Sequence, residues 1–350
     1  MAYRFKFREA TSKGFRRIAR EQIELALQEL AAEPVSPQGV HNVRKALKRL
    51  KALLVTVAPV IDKKELRKRL AGLRDVGRLL SPQRDATVSL AAAQSLAEHC
   101  TADDADHINT VIGHVHHVAG EMSKSLDPAI AADTRARLTE EGKKLAKLRL
   151  KGRGFELLAE GVEVSYRSGR RAFKPAYKNP SEQAFHALRK SVQVHWRQMS
   201  LLTNAWPAVF EARVTEAREL SQILGDDHDI AIMSKFLVDL ADADQAKASH
   251  ICDERQRALR EAARFRVARL FAERPKAFKT RISEYWRTGA KISAQQRVKP
   301  PMAAQPADPA EPNDGTISIG SAPRLATKTP GGASRKVGAD RLKSYRTPLR

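Results

Sequence analysis

The sequence predicts an all-α protein built from two similar bundles, each of the four-helix type. Three observations lead to this prediction: a composition that favours helices, apolar residues spaced at helical intervals, and a pair of motifs that occurs twice. Aromatic residues make up only 5% of the chain, while Ala, Leu, Arg and Glu are abundant. This composition is typical of helices that pack through aliphatic stripes.

The clearest helical pattern lies at residues 40–51, which read VHNVRKALKRLK. The valines and leucines recur at steps of three and four, so they form one buried stripe. His41, Arg44, Lys45 and Lys48 recur at the same steps and form a basic stripe beside it. A single stripe of this kind is most often the solvated face of an amphipathic helix.

The same pattern returns 145 residues later, where residues 185–197 read FHALRKSVQVHWR. The second basic stripe consists of His186, Arg189, Lys190, Gln193 and Arg197. Neither stripe has an acidic partner four residues away, and like charges at helical spacing destabilise a helix slightly. Because the arrangement occurs twice, we expect both stripes to face an anion.

A second matched element follows each basic stripe. Residues 77–88 read GRLLSPQRDATV, and residues 222–233 read QILGDDHDIAIM. The downstream aspartate, Asp85 in the first copy and Asp229 in the second, follows the motif histidine by 44 and 43 residues. Two paired motifs at a preserved separation indicate an internal duplication.

An HxxRK motif on an amphipathic helix, followed by a Leu-Gly-x-x-x-Asp-like element and present twice, resembles the CHAD domain, the conserved-histidine α-helical domain. The resemblance covers roughly residues 5–287. It implies two pseudo-symmetric helical bundles whose basic inner surfaces bind inorganic polyphosphate. The chain departs from the family pattern at residues 79–85, which lack the glycine, and at Gln193, where a basic residue is usual.

The resemblance also implies which residues contact polyphosphate. Arginine offers forked hydrogen bonds to phosphate, lysine offers a point charge, and histidine adds a hydrogen bond that strengthens at lower pH. Residues 166–170 match a Tyr-x-x-Gly-Arg-like stretch of the family. The predicted polyphosphate-binding residues are His41, Arg44, Lys45, Lys48, Arg67, Arg74, Arg78, Arg170, Arg171, His186, Arg189, Lys190 and Arg197.

Helix boundaries follow from the apolar periodicity and from prolines and glycines. In the first half they predict helices over residues 15–32, 40–58, 63–80, 83–99, 107–125 and 129–149. Ser81 is predicted to cap the fourth of these, with Pro82 at its first position. Residues 155–183, with Ser168-Gly169 and two later prolines, are predicted to cross between the halves. After the motif helix opened by Ser181, helices are predicted over residues 213–224, 226–241, 243–271 and 278–285.

These elements divide the chain into three predicted parts. Residues 1–152 form the first bundle, residues 153–289 the second, and residues 290–350 a disordered basic tail. Residues 298–350 hold 8 of the 17 prolines and a single aromatic residue, Tyr345. Such a segment cannot bury a core of its own.

The net charge is +23, of which residues 1–290 carry +16. A field of this size attracts polyanions such as nucleic acid, polyphosphate or an anionic membrane surface. Two cysteines are too few for a disulfide framework. Neither a signal peptide nor an apolar run long enough for a membrane span is present. We expect a cytoplasmic protein, and association with polyphosphate granules stays open.

The His228-Asp229 pair raises the alternative of a metal-dependent phosphohydrolase, because His-Asp dyads bind metal in such enzymes. The equivalent pair in the first copy is Arg84-Asp85, and arginine does not ligate metals. The aspartate common to both copies is therefore predicted to hold an arginine, Arg44 or Arg189, in place.

Other catalytic patterns are missing from the sequence. It contains no glycine-rich phosphate loop, no Ser/His/Asp arrangement and no Glu-x-Glu-x-Lys run, and clustered carboxylates that could hold Mg²⁺ are absent. We therefore expect a binding protein with no catalytic residue, no metal and no cofactor. Nucleic-acid binding is the main alternative, although the stripes contain few aromatic residues on which bases could stack.

Overall fold

The computed structural model describes residues 3–298, apart from residues 102–103, 153 and 239. Within these residues the chain forms α-helices and short 3₁₀ turns and no β-strand, which confirms the all-α prediction. The helices are α1 (Thr11–Glu29), α2 (Pro37–Thr56), α3 (Lys63–Leu79), α4 (Ser81–Ala97), α5 (Ala105–Lys124), α6 (Pro128–Ala146), α7 (Glu156–Lys178), α8 (Glu182–Leu201), α9 (Pro207–Met233), α10 (Asp242–Leu270) and α11 (Pro275–Val298).

The two motif helices, α2 and α8, are built alike. Each begins after a serine, Ser36 or Ser181, whose side chain accepts a hydrogen bond from the backbone N–H three residues later. This contact satisfies one of the free donors at a helix start. Each helix is followed by a short 3₁₀ turn, Ala58–Val60 or Thr203–Ala205. Equivalent caps and equivalent turns are what a duplicated unit should retain.

One large hydrophobic core takes side chains from both halves of the duplication. Val40 and Leu47 on α2 and Phe185 and Leu188 on α8 are all buried in it. Helix α2 packs directly against α8. Burying a side chain of this size stabilises the fold by roughly 1.5–3 kcal/mol. The shared core therefore fixes the two motif helices side by side.

A second, smaller core forms where α4, α5, α9 and α10 meet. It includes Ala86 on α4 together with Ile230 and Met233 on α9. Ala86 lies two residues after Arg84, and Ile230 directly follows Asp229. This core therefore brings the first turn of α4 against the last turns of α9, where the matched downstream elements of the two copies meet.

The predicted crossover at residues 155–183 is wrong for most of its length, because α7 is one helix of 23 residues with Pro175 inside it. The small residues in this segment serve close packing. A Cβ at Gly161 would lie 2.0 Å from the Thr56 carbonyl oxygen, and one at Gly169 would lie 2.4 Å from the Phe271 ring. The connection between the halves is instead the short link between α6 and α7.

Helix α9 is also longer than predicted. The sequence predicted two helices that meet at Gly225, whereas the helix runs unbroken from Pro207 to Met233. The first copy does divide here, into α3 and α4, because Pro82 has no N–H with which to continue α3. Ser81 is the first residue of α4 and not its cap, and its Oγ donates to the Gly77 carbonyl oxygen at 3.2 Å.

Helix α11 continues to Val298, beyond both the predicted short helix at residues 278–285 and the predicted start of the tail at residue 290. Phe278, Ile282 and Trp286 bury one face of it, and the Trp286 ring stacks on Phe155 with centroids 4.6 Å apart. The rest of the predicted tail lies outside the described residues. None of the helices described is both long enough and apolar enough to span a bilayer.

Candidate functional site

A cavity of about 390 Å³, here called the basic cavity, lies between α2, α4, α8 and α9. Eight lysines and arginines line it against a single carboxylate, that of Asp229. The cationic residues are Arg44, Lys45, Lys48, Arg49, Arg84, Arg189, Arg197 and Arg218. The motif histidine His41 also lines the cavity. The basic stripes of both copies therefore converge on one space.

A smaller cavity of about 200 Å³, the adjoining basic pocket, lies between α2, α3 and the start of α4. Lys51, Arg74 and Arg78 line it. Arg44 and Lys48 line both this pocket and the basic cavity. The two spaces are therefore joined by a continuous cationic lining, along which a linear anion could extend.

Several of these cations have no counter-ion among the residues that the structure describes. Arg44 donates to the Gly77 carbonyl oxygen at 2.9 Å, and Arg197 donates to the Gln193 carbonyl oxygen at 2.7 Å. The Nε of Arg189 is buried and has no hydrogen-bond partner in the part of the chain described. A buried donor without a partner is costly, so an incoming anion would satisfy a group that the fold leaves open.

Burial, together with the crowding of positive charge, lowers the pKa values of several lining residues. Burial and the nearby Arg189 lower the pKa of Lys48 to about 7. Burial and Arg44 lower the pKa of Lys51 to about 8. Burial, chiefly, lowers the pKa of Arg44 and of Arg197 to about 10. Each shift disfavours the charged form, so the empty cavity opposes the protonation that a bound anion would favour.

Replacing Lys48 by methionine is expected to stabilise the ligand-free protein at neutral pH. The folded-state pKa of Lys48 is about 7, against 10.5 for the free side chain. Between these two pH values the unfolded chain binds a proton that the folded chain does not. The destabilising effect of Lys48 is therefore largest at pH 7 and below. It becomes smaller as the pH rises toward 10.5. Thermal unfolding of both proteins at pH 6.5, 8 and 10 measures it. A stability difference that does not shrink with pH would contradict the assignment.

Arg84 holds the two copies together across the basic cavity, and the sequence did not single it out as a site residue. Its guanidinium donates to Oδ1 of Asp85 at 3.0 Å and to Oδ1 of Asp229 at 2.5 Å. The aspartates common to both copies thus hold an arginine, as predicted, but it is Arg84 and neither Arg44 nor Arg189. The alignment of Arg84-Asp85 with His228-Asp229 was the signal that could have identified it.

The second motif histidine lies behind the basic cavity. The His186 ring lies 4.5 Å from the His228 ring, and its buried Nδ1 has no hydrogen-bond partner in the part of the chain described. Burial and the neighbouring Lys190 lower the pKa of His186 to about 4, and burial and Arg189 lower that of His228 to about 3. Both rings are therefore neutral at pH 7.

The remaining predicted contacts lie outside both basic spaces. Arg67, Arg171 and Lys190 are exposed. Arg170 caps the end of α10, where its Nη1 donates to the carbonyl oxygens of Phe271, Ala272 and Glu273 at 2.6–2.8 Å. The Tyr166 hydroxyl donates to the Leu270 carbonyl oxygen at 3.3 Å. The Tyr-x-x-Gly-Arg-like stretch therefore fastens α10 to α7.

The His228-Asp229 pair is occupied by other contacts. The carboxylate of Asp229 pairs with Arg84, and His228 packs on His186. Among the residues that the structure describes, no three His, Cys, Asp or Glu side chains are grouped so that they could hold a metal ion. The chemistry that the site offers is the binding of anions by guanidinium and ammonium groups.

Fold and cavity together define an all-α protein whose two repeated bundles enclose a cationic site. A family model of the CHAD domain matches residues 17–238. The chain therefore belongs to the CHAD domain family.

Solved structures show the same fold. PptA from Streptomyces chartreusis is similar with a TM-score of 0.51 and 16% identity, over 75% of this chain and 98% of that chain. The CHAD domain from the plant Ricinus communis is similar with a TM-score of 0.53 and 15% identity, over 76% of this chain and 94% of that one. At such identities the likeness concerns the fold alone. No curated protein matches the sequence.

Proposed function

We propose that this CHAD domain protein binds inorganic polyphosphate in the basic cavity and does not transform it chemically. The observation that carries the proposal is the convergence of eight lysines and arginines, from both copies, on one cavity with a single carboxylate. That carboxylate is already paired with Arg84. The cavity therefore keeps a strong excess of positive charge after the Arg84–Asp229 ion pair is taken into account.

Polyphosphate suits this site because it is a flexible chain with about one negative charge per phosphate and no sequence to be read. Arg189 and Arg44 can supply forked hydrogen bonds, and Lys48 a point charge. The adjoining basic pocket, entered past Arg44 and Lys48, provides further cations for a longer chain. The family resemblance supports the same ligand. A cytoplasmic protein with this site would associate with polyphosphate granules where they form.

Nucleic acid is less well matched to the same cavity. Proteins that bind single strands without sequence preference stack bases on aromatic rings. Trp196 is the one Phe, Tyr or Trp side chain that lines the basic cavity. Its ring face is covered by the guanidinium of Arg197, 4.0 Å from the ring centroid. With one face of this ring already covered by an arginine, the cavity offers little surface on which bases could stack.

A competition titration with the full chain is expected to show preference for polyphosphate over DNA. Labelled long-chain polyphosphate is bound at about 150 mM salt, where non-specific charge contacts are weakened. Single- and double-stranded DNA are then added at equal phosphate concentration. We expect polyphosphate to stay bound, because the cavity walls fit a narrow chain better than a duplex. Fluorescence anisotropy of the label measures the displacement.

Two results would overturn the proposal. Ready displacement by DNA at equal phosphate concentration would make the protein a general polyanion binder. Release of phosphate from polyphosphate on addition of Mg²⁺ or Mn²⁺, lost in Asp229→Ala and kept in Arg44→Ala, would make it a phosphohydrolase. A protein that binds without releasing phosphate in either metal supports a binding role.

A further inference from the structure

A third cavity opens beside the basic cavity and differs from it in chemistry. It has a volume of about 160 Å³ and is called here the apolar pocket. Three helices supply its walls, each through residues spaced along one helix face. Its apolar lining residues are Val88, Ala91, Ala92 and Leu96 on α4, Ile230 on α9 and Leu259 on α10.

The apolar pocket and the basic cavity lie side by side. Val88, Gln222 and Asp229 line both of them. Because the two spaces share these residues, a single ligand that reaches past them would have an apolar or aromatic part in the first and an anionic part in the second. Inorganic polyphosphate has no apolar part, so it would leave the apolar pocket empty.

Polar groups at the apolar pocket favour a neutral ring with N–H donors. Asp226 is half-buried, and its Oδ1 accepts a hydrogen bond from Nε2 of Gln222 at 2.7 Å. Its other oxygen can accept from a ligand. Arg255 adds a positive charge to the lining, and Asp229 is paired with Arg84. The charges of Asp226 and Arg255 offset each other, so a free ammonium ion would gain little there.

We propose that the apolar pocket binds the base of a guanine nucleoside polyphosphate whose phosphates lie in the basic cavity. Guanine presents two parallel donors, its N1–H and its exocyclic amino group, which match the two oxygens of a carboxylate such as Asp226. Adenine presents one amino donor next to a ring acceptor, which a carboxylate repels. The planar guanidinium of Arg255 can stack on the ring.

The dimensions agree with one flat ring system. Pockets for drug-sized ligands span roughly 300–1,000 Å³, whereas the apolar pocket measures about 160 Å³. The inference rests on the proposed function only for the phosphate-binding part of the site. The base-binding part rests on Asp226, Arg255 and the apolar walls.

Calorimetric titration of the full chain with GTP, ATP and inorganic tripolyphosphate tests the proposal. All three carry three phosphates and differ in the organic part. We expect GTP to bind about tenfold more tightly than ATP or tripolyphosphate, the equivalent of roughly 1.4 kcal/mol. Asp226→Asn removes one acceptor and sets a donor against the guanine N1–H, so it should reduce GTP to the level of tripolyphosphate.

A pair of alanine-to-leucine variants tests the apolar pocket independently of Asp226. Ala91 is exposed and lines the apolar pocket, so Ala91→Leu should fill it and weaken GTP without affecting tripolyphosphate. Ala97→Leu makes the same exchange at an exposed position of α4 that does not line the pocket, and it should change neither affinity.

The outcomes separate this proposal from polyphosphate binding. Equal affinities for GTP, ATP and tripolyphosphate, or GTP binding that survives both Asp226→Asn and Ala91→Leu, would overturn the guanine site. In either case, the proposed polyphosphate function still holds if long-chain polyphosphate binds the unmodified protein and the Asp226→Asn and Ala91→Leu variants. If the unmodified protein binds GTP but does not bind long-chain polyphosphate, the result contradicts the proposed function and supports the guanine site.

Discussion

Replacing Lys48 and Arg189 together by methionine is expected to weaken polyphosphate binding by about two to four orders of magnitude. The two residues come from different copies and line the same cavity. A hydrogen bond to a charged group contributes about 1.5–3 kcal/mol, so two of them amount to about 3–6 kcal/mol, a factor of roughly 150–25,000. Methionine keeps most of the aliphatic bulk, and Arg189 Nε has no partner to lose in the described part of the fold. Anisotropy titration at about 150 mM salt measures the change.

The matched control is Arg67→Met with Arg171→Met. It likewise replaces two basic side chains, at two exposed positions that line neither the basic cavity nor the adjoining basic pocket. We expect its affinity to stay within about threefold of the unmodified protein, since exposed charges contribute through a field that salt screens. Equal losses in the two double variants would mean that net charge, and not the cavity, binds the ligand.

Gly161→Ala is expected to lower the free energy of unfolding by about 3 kcal/mol or more. At this position α7 crosses the end of α2, and an added Cβ would lie 2.0 Å from the Thr56 carbonyl oxygen and 2.6 Å from its carbon. These are backbone atoms, so no rotamer change relieves the contact. Overpacking of a well-packed contact costs about 1–3 kcal/mol and more where the backbone must move. Urea unfolding followed by circular dichroism measures the loss.

Gly113→Ala provides the opposite case. Gly113 lies inside α5, is exposed, and would place its Cβ with nothing within 4 Å. Alanine is favoured over glycine in a helix interior by roughly 0.5–1 kcal/mol, so this variant should be slightly more stable. If Gly161→Ala is as stable as Gly113→Ala, the close approach of α7 to α2 is not as described.

The fold class could be predicted from the sequence because helical periodicity is a local property of the chain. Helices α2 and α8 followed from apolar residues at steps of three and four, and the duplication followed from matched motifs. Helix α7 was missed because glycines indicate turns when read alone. At Gly161 and Gly169 they instead admit a neighbouring chain, and only the tertiary contact reveals that role.

The candidate site was predicted in part for a similar reason. Arg44, Lys45, Lys48, Arg189 and Arg197 lie on the predicted stripes and line the basic cavity. The helices α4 and α9 also supply cations to it, Arg84 and Arg218, and no stripe pattern marks these. Arg170 belongs to a motif that looked functional, yet it caps a helix. The set of cations that lines the basic cavity depends on how the helices pack against one another, and helix packing cannot be read from a local sequence pattern.

The bridge formed by Arg84 has a consequence for the symmetry of the protein. Arg84 and His228 occupy equivalent positions in the two copies, but Arg84 bridges two aspartates, whereas burial lowers the pKa of His228 to about 3. A homodimer of one bundle would have to place the same residue at both positions. Joining the copies in a single gene lets each position mutate alone. Arg84 lines the basic cavity and His228 does not, so the two copies contribute differently to one shared site.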